Sequence, residues 1–380
     1  MAISRRRFVG TLGASGALAL GGSARAAQGG GPPPMRVAPA DLAKLIRLDS
    51  NENPNPPGPS VIKAVTEALA QGHRYPFNFI DLREKLAKLH GVARENVAVG
   101  AGSGEFLKAA IPAFVDPLRA LVAPRPTFET CTATARARGL PVREIPVDAS
   151  LRLDVAAMEA AAQGAGLVYF SNPNNPTGTI VPTREVEGML DRMATRSPET
   201  VMLLDEAYAD FVSSKDYTTL SGRAARDRNL LVLRTFSKAF GLAGLRVGYA
   251  IGHKDTIAKI KLSMSTDFLS ITSVAAAIAA LEDETLLRGQ VEANRLTRAS
   301  TVKFFNDLGF AVAPSEGNFI LVDIQRKPDA FQAACKAQGV LVGRPFPGLA
   351  THSRITLGTA AEMERATAVF KAVLAGQQPA

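Results

Sequence analysis

The feature that most constrains the fold is a rhythm in the middle of the chain. Five short apolar runs each end in a polar cluster. Asn96 to Val99 leads into Gly100-Ala101-Gly102-Ser103-Gly104-Glu105, and Ala120 to Ala123 leads into Pro126-Thr127-Phe128. Leu167 to Phe170 leads into Asn172-Pro173-Asn174-Asn175-Pro176-Thr177-Gly178. Val201 to Leu204 leads into Asp205-Glu206-Ala207-Tyr208, and Leu230 to Leu233 into Thr235-Phe236-Ser237-Lys238. Helical patterns separate the runs. That alternation predicts an α/β fold: a large domain with a mostly parallel sheet and helices on its faces. In open sheets of this kind the ligand crevice lies beyond the carboxyl ends of the strands. The five clusters are therefore expected to converge on one site.

After residue 275 the pattern changes. Glu282 to Asp307 reads as a helix, Asn318 to Asp323 as a strand, Ala330 to Gln338 as a helix and Val340 to Val342 as a strand. Arg354 to Leu357 reads as another strand and Ala361 to Leu374 as a closing helix. A smaller α/β domain over 276–380 follows, with the large domain over 75–275. Residues 40–74 are expected to form an N-terminal arm and part of the small domain.

Composition narrows the function classes. With 380 residues, 46% of them hydrophobic, the chain can bury a core without disulfides. Cys131 and Cys335 have no metal-ligand spacing and read as buried thiols; no metal site is expected. The formal charge is +9, but four of the positive residues are Arg5, Arg6, Arg7 and Arg25, in a segment without acids. No basic block interleaved with aromatics exists elsewhere, which argues against a nucleic-acid partner.

The N-terminal segment reads as an export signal. Ser4-Arg5-Arg6-Arg7-Phe8-Val9 has the twin-arginine form, and a Gly/Ala/Leu stretch runs on to Leu20. Ala24-Arg25-Ala26 then gives a small-x-small cleavage pattern. The apolar stretch falls short of the roughly 20 residues that span a bilayer. Residues 1–26 are thus expected to be a twin-arginine signal peptide and 27–39 a linker. The expected destination is the periplasm, with membrane contact only during export.

Each polar cluster has an ordinary reading on its own. Lys238 could snorkel from a loop, Asp205 could cap a helix, and Gly-rich turns commonly bind nothing. Together they fit one chemistry. The glycines at 100–104 open a helix, so its N-terminus and the Ser103 hydroxyl can hold an anion. Arg246, eight residues past Lys238, can reach the same anion with its fork. Asp205 after an apolar strand needs a cationic partner, and a protonated ring nitrogen would be one. A lysine amine condenses with an aldehyde to form a Schiff base. Anion anchor, carboxylate and lysine are what a pyridoxal-phosphate site requires.

At this point the chain resembles the fold-type-I pyridoxal-phosphate aminotransferases of class I/II, and within them most closely the histidinol-phosphate aminotransferases. The resemblance runs from about residue 40 to 375. It is carried by SNENP at 50–54, RYP at 74–76, NPNNPTG at 172–178, DEAY at 205–208, FSKAFGLAGLRVGY at 236–249 and RITLG at 354–358. By that resemblance Lys238 carries the cofactor, Asp205 binds its ring nitrogen, and Tyr208 and Asn175 bind its phenolic oxygen. Ser103, Thr235 or Ser237, Arg246 and the backbone of Gly102 to Gly104 hold its phosphate, and Phe128 stacks on its ring. Tyr75 reaches the phosphate of a second subunit, implying a homodimer with shared sites. Arg354 clamps the substrate carboxylate, Arg344 stands where relatives hold a distal substrate group, and Asn51 to Pro54 form an arm near the entrance.

The implied reaction takes an amino acid or amino-alcohol phosphate as donor and a 2-oxo acid as acceptor. Decarboxylation or elimination on the same scaffold, as in threonine-phosphate decarboxylase, is the alternative chemistry. A non-catalytic module derived from this fold would not need intact Lys238, Asp205, Arg246 and Arg354. Three departures stand out. Phe128 replaces the family's usual Tyr, Gly104 stands where an Asp is usual, and the family is cytoplasmic whereas this chain begins with an export pattern.

Overall fold

The computed structural model describes residues 44–76, 79–264 and 269–376. The export signal at 1–26, the linker at 27–39 and the first residues of the arm lie outside the described residues. Eleven strands are present among the described residues. In chain order they are β1 (Ile46–Leu48), β2 (Val97–Gly100), β3 (Leu121–Arg125), β4 (Val142–Pro146), β5 (Leu167–Ser171) and β6 (Val201–Asp205). β7 (Leu230–Thr235), β8 (Gly248–Gly252), β9 (Phe319–Asp323), β10 (Val340–Val342) and β11 (His352–Thr356) complete them.

Seven strands form the central sheet in the order β2-β8-β7-β6-β5-β3-β4. β8 is antiparallel to both its neighbours, β2 and β7, so β2 runs with the parallel strands β3 to β7. All five predicted runs are therefore strands whose carboxyl ends lie along one edge. Each is buried on both faces, as expected where helices cover both sides. Side-chain alternation divides the core in two. Val168, Phe170, Met202, Leu204 and Val232 pack on one face; Leu167, Tyr169, Leu203, Leu231 and Leu233 pack on the other.

Two central-sheet strands had no signal in the runs read from the sequence. β4, VREIP, sits at the sheet edge half-exposed, so its apolar content is diluted. β8, GYAIG, is flanked by glycine and reads as turn. Its Gly248 is required by packing: a Cβ there would lie 2.3 Å from the Ser103 nitrogen.

A third apolar cluster joins Ile46, Leu48, Ile320, Val322, Phe331, Val340, Val342 and Phe370. It is built on the pair β1–β10 and the antiparallel pair β9–β11. Of the described residues in the 40–74 stretch, only part packs there. β1 does, but the helix Pro59–Leu69 lies against the helix Ile271–Glu282. The spacing of Val61 and Val65 explains this, since the two share one helix face and both join the sheet's core. The boundary expected at 275/276 falls inside Ile271–Glu282, whose Ala276, Ala277 and Ala280 belong to that same core. Cys131 and Cys335 are free buried thiols in different clusters, and burial pushes the Cys335 thiol up to about 12.

Candidate active site

The five polar clusters meet in one cavity of about 560 Å³ at the carboxyl edge of the sheet. Each contributes: Ser103 and Gly104, Phe128, Asn175, Asp205 with Tyr208, and Thr235 with Ser237 and Lys238. Arg246, Asn51, Arg354 and Arg344 complete the predicted set within the lining. Of the residues expected at the site, two stand apart. Gly102 lies behind the wall, and Tyr75 is 76% exposed and does not line this chain's cavity.

Lys238 follows β7 and its Nζ donates to the Asn51 carbonyl at 2.9 Å. Burial, then the Arg354 charge, lowers its amine from the ordinary lysine range to about 8. Asp205 ends β6 and is 4% exposed. Its Oδ2 accepts the Tyr169 hydroxyl at 3.1 Å and its Oδ1 accepts the Ala207 N–H at 3.1 Å. Burial raises its carboxyl to about 6, the rise being held in check by the Tyr169 bond. Both bonds come from uncharged donors, so this buried carboxylate fits a cationic partner in the cavity.

Tyr208 is held from two sides. Asn51 Nδ2 donates to its hydroxyl at 3.1 Å and Asn175 Nδ2 at 3.2 Å. With both lone pairs engaged, the phenolic proton is free to point at a third group. Burial raises the Tyr208 pKa, and Arg354 opposes the rise. Asn175 Oδ1 in turn accepts from Arg354 Nη1 at 2.8 Å, and Arg354 Nη2 donates to the Asp49 carbonyl at 2.5 Å. Arg354 Nε is buried without a partner.

The opposite end of the cavity suits an anion. The helix Ser103–Phe114 begins there after Gly102, whose φ of 84° requires glycine. A Cβ on Gly102 would sit 2.3 Å from Arg246 Nη2, so the guanidinium lies flush against the turn. Arg246 adopts a left-handed backbone (φ 52°), which is costly for arginine and concentrated at functional sites. Its Nη1 bonds Ser237 Oγ at 3.4 Å and the Ala243 carbonyl at 3.0 Å. Thr235 Oγ1 is committed instead to the Ser237 N–H, from which it accepts at 3.1 Å. Of the two hydroxyls considered, Ser237 is the one beside Arg246.

A family model for aminotransferase class I and II matches residues 43–370. The chain belongs to the aminotransferase class I and II family. This aminotransferase chain is 36% identical over 336 residues to a histidinol-phosphate aminotransferase of Moorella thermoacetica, covering 87% of the chain and 86% of the relative. It is 34% identical over 338 residues to the Bacillus subtilis histidinol-phosphate aminotransferase, covering 88% and 92%. Among solved structures it is similar to the Sinorhizobium meliloti histidinol-phosphate aminotransferase in complex with pyridoxal-5'-phosphate. That similarity has a TM-score of 0.81 and 28% identity, covering 89% of this chain and 95% of that one.

Sequence reasoning missed several residues of the aminotransferase site. Asn51 was expected as a substrate-binding residue on an arm near the entrance, but its depth and its ties were not: it is 1% exposed and bonded to Thr356, Tyr208 and Lys238. Tyr169 was missed although its signal existed. In the parallel register Tyr169 pairs with Leu203 and Ser171 with Asp205, so Tyr169 lies one step below Asp205 on the same face. Phe346, Gln332 and Asp49 carried no local pattern; only the folding together of distant segments brings them to the cavity.

Proposed function

We propose that the chain transfers the amino group of an amino acid or amino-alcohol phosphate to a 2-oxo acid, with pyridoxal 5'-phosphate as cofactor. One observation carries the reading: Lys238, Asp205, the Arg246 cradle and Arg354 line one cavity. The residues fit the cofactor. The flush packing of Arg246 on Gly102 leaves room and charge for a phosphate, and the helix start at Ser103 adds N–H donors. When bound, pyridoxal phosphate supplies an aldehyde for exchange with amines and a protonated ring that draws electrons from the donor's Cα.

The chain's own residues then have separable tasks. Ser103, Ser237 and Arg246 fix the phosphate, with Thr235 bracing Ser237. Asp205 retains the proton on the ring nitrogen, and Tyr208 with Asn175 binds the phenolic oxygen. Phe128, 43% exposed at the cavity wall, covers the ring. Lys238 holds the aldehyde carbon between turnovers and moves the proton at the donor's Cα during them. Arg354 holds the donor carboxylate.

Arg354→Gln tests the last assignment. Loss of one charged hydrogen bond costs about 2–3 kcal/mol, so KM for a carboxylate donor should rise roughly 30- to 150-fold. An unchanged KM would place the carboxylate elsewhere. The lowered pKa of Lys238 makes a second prediction. Only its neutral amine attacks an aldehyde, so capture of pyridoxal phosphate by cofactor-free protein should quicken with pH and level off above about 8. A rate that still climbs tenfold per pH unit to pH 10 would show an ordinary lysine.

We infer that two chains pair, with Tyr75 serving the partner's cavity. Its exposure supports this, as does the exposure of Ile62 and Leu69 on the helix Pro59–Leu69. Sedimentation should give twice the chain mass; a monomer with full activity would contradict it. Export through the twin-arginine route follows from residues 1–26 alone, and periplasmic protein with a terminus near Ala27 is the expected result. Protein confined to the cytoplasm would sink that expectation.

A further inference from the structure

Glu129 occupies the N-cap position of the helix Thr130–Ala137, yet its side chain makes no cap bond. Its carbonyl accepts from Ala133 N and Thr132 Oγ1, but its carboxylate turns away from the helix. Oε2 accepts instead from Arg344 Nη2, at 2.5 Å, from the far end of the chain.

Arg344 is the cation at the distal end of the cavity. Its Nη1 donates to the Pro345 carbonyl at 3.0 Å and its guanidinium lies 4.5 Å from the centre of the Phe346 ring. The Arg354 guanidinium lies 5.2 Å from that same ring. One aromatic ring thus carries two cations, and the Arg354 pKa is lowered first by burial and further by the Arg344 charge. Arg354 bonds only a neutral amide and a backbone carbonyl, whereas Arg344 already has an anion of its own.

We propose that Glu129 determines donor specificity: it competes with anionic distal groups for Arg344 and biases the site toward donors whose distal group is uncharged or cationic. This rests on the reading of the cavity as an amino-donor site. The bias is graded rather than absolute. Both partners are about half exposed, and ion pairs of that kind exchange readily. A phosphate or carboxylate can displace Glu129, but it binds against that competition and beside a second negative charge.

The test uses two unreactive six-carbon acids, adipate and hexanoate, which differ in the distal carboxylate. Their affinities for the cofactor-loaded protein are measured by calorimetry. In Glu129→Gln the ratio of adipate to hexanoate affinity is expected to rise about two- to fivefold over the unmodified protein. In Glu129→Gln/Arg344→Gln that gain is expected to vanish. An unchanged ratio in Glu129→Gln, or a gain that survives in the double variant, overturns the proposal. The readout needs no turnover. A protein that bound both acids but released no carbonyl product from any amino donor would sink the functional reading and leave the charge preference standing.

Discussion

Lys238→Ala is expected to lower the rate of 2-oxo acid formation by at least about 10³-fold while leaving the fold intact. A positioned acid/base is worth roughly 10²–10⁴ in rate, and alanine also removes the amine that holds the cofactor's aldehyde. The side chain's bond to the Asn51 carbonyl is lost as well, but Asn51 keeps its bonds to Thr356 and Tyr208, so the wall should stand. Added methylamine or ethylamine should restore part of the rate, because a free amine can move the Cα proton without being tethered. A variant with a rate within tenfold of the unmodified protein would remove Lys238 from the chemistry.

Asp205→Asn is the second large effect. Asparagine can still accept the Ala207 N–H through Oδ1, while its Nδ2 takes the place of Oδ2 and donates to the Tyr169 hydroxyl oxygen, so the strand end should hold its shape. What it lacks is the charge that keeps a proton on the ring nitrogen. The expected loss in kcat is roughly 10²–10⁴-fold, with weaker cofactor binding. The carboxyl of Asp205 titrates at about 6, so cofactor affinity in the unmodified protein should fall as pH drops below that value. In Asp205→Asn that acid limb should be absent. A variant that retains it would assign the titration to another group, the nearest charges being Lys238 and Glu206.

Much of this site was legible because its parts fall where sheet geometry sends them. Apolar runs such as VMLL announce strands, and the residue after each run must appear at the carboxyl edge. Five such residues in five runs made a converging site readable without coordinates. The anion cradle was readable only in company: a Gly-rich turn before a helix commonly binds nothing, and Arg246 and Lys238 gave it a use. Less legible were contacts set by the packing of distant segments. Asn51 looked like part of an exposed arm because nothing local shows that Thr356 and Asn318 close over it. Glu129 carried no signal in the sequence, since its pairing with Arg344 depends on how the β10 end meets the loop after β3. Strand β8 was hidden because its glycines, needed for close packing on Ser103, imitate a turn. Hydrophobic pattern reports burial, but it does not report which far segment does the burying.

The central claim is that this cavity exchanges an amino group and then needs a second substrate to take it up. It is tested most directly by mixing the cofactor-loaded protein with an excess of amino donor and no acceptor, and following 2-oxo acid and carbon dioxide together. Glutamate, histidinol phosphate and an aromatic amino acid are the donors to try, the first and last being scored for 2-oxo acid and histidinol phosphate for its carbonyl product. The account predicts one equivalent of carbonyl product per site, then arrest, then renewed production when a 2-oxo acid acceptor is added, with no carbon dioxide. Continuous release of carbon dioxide, or no carbonyl product from any donor, would contradict it.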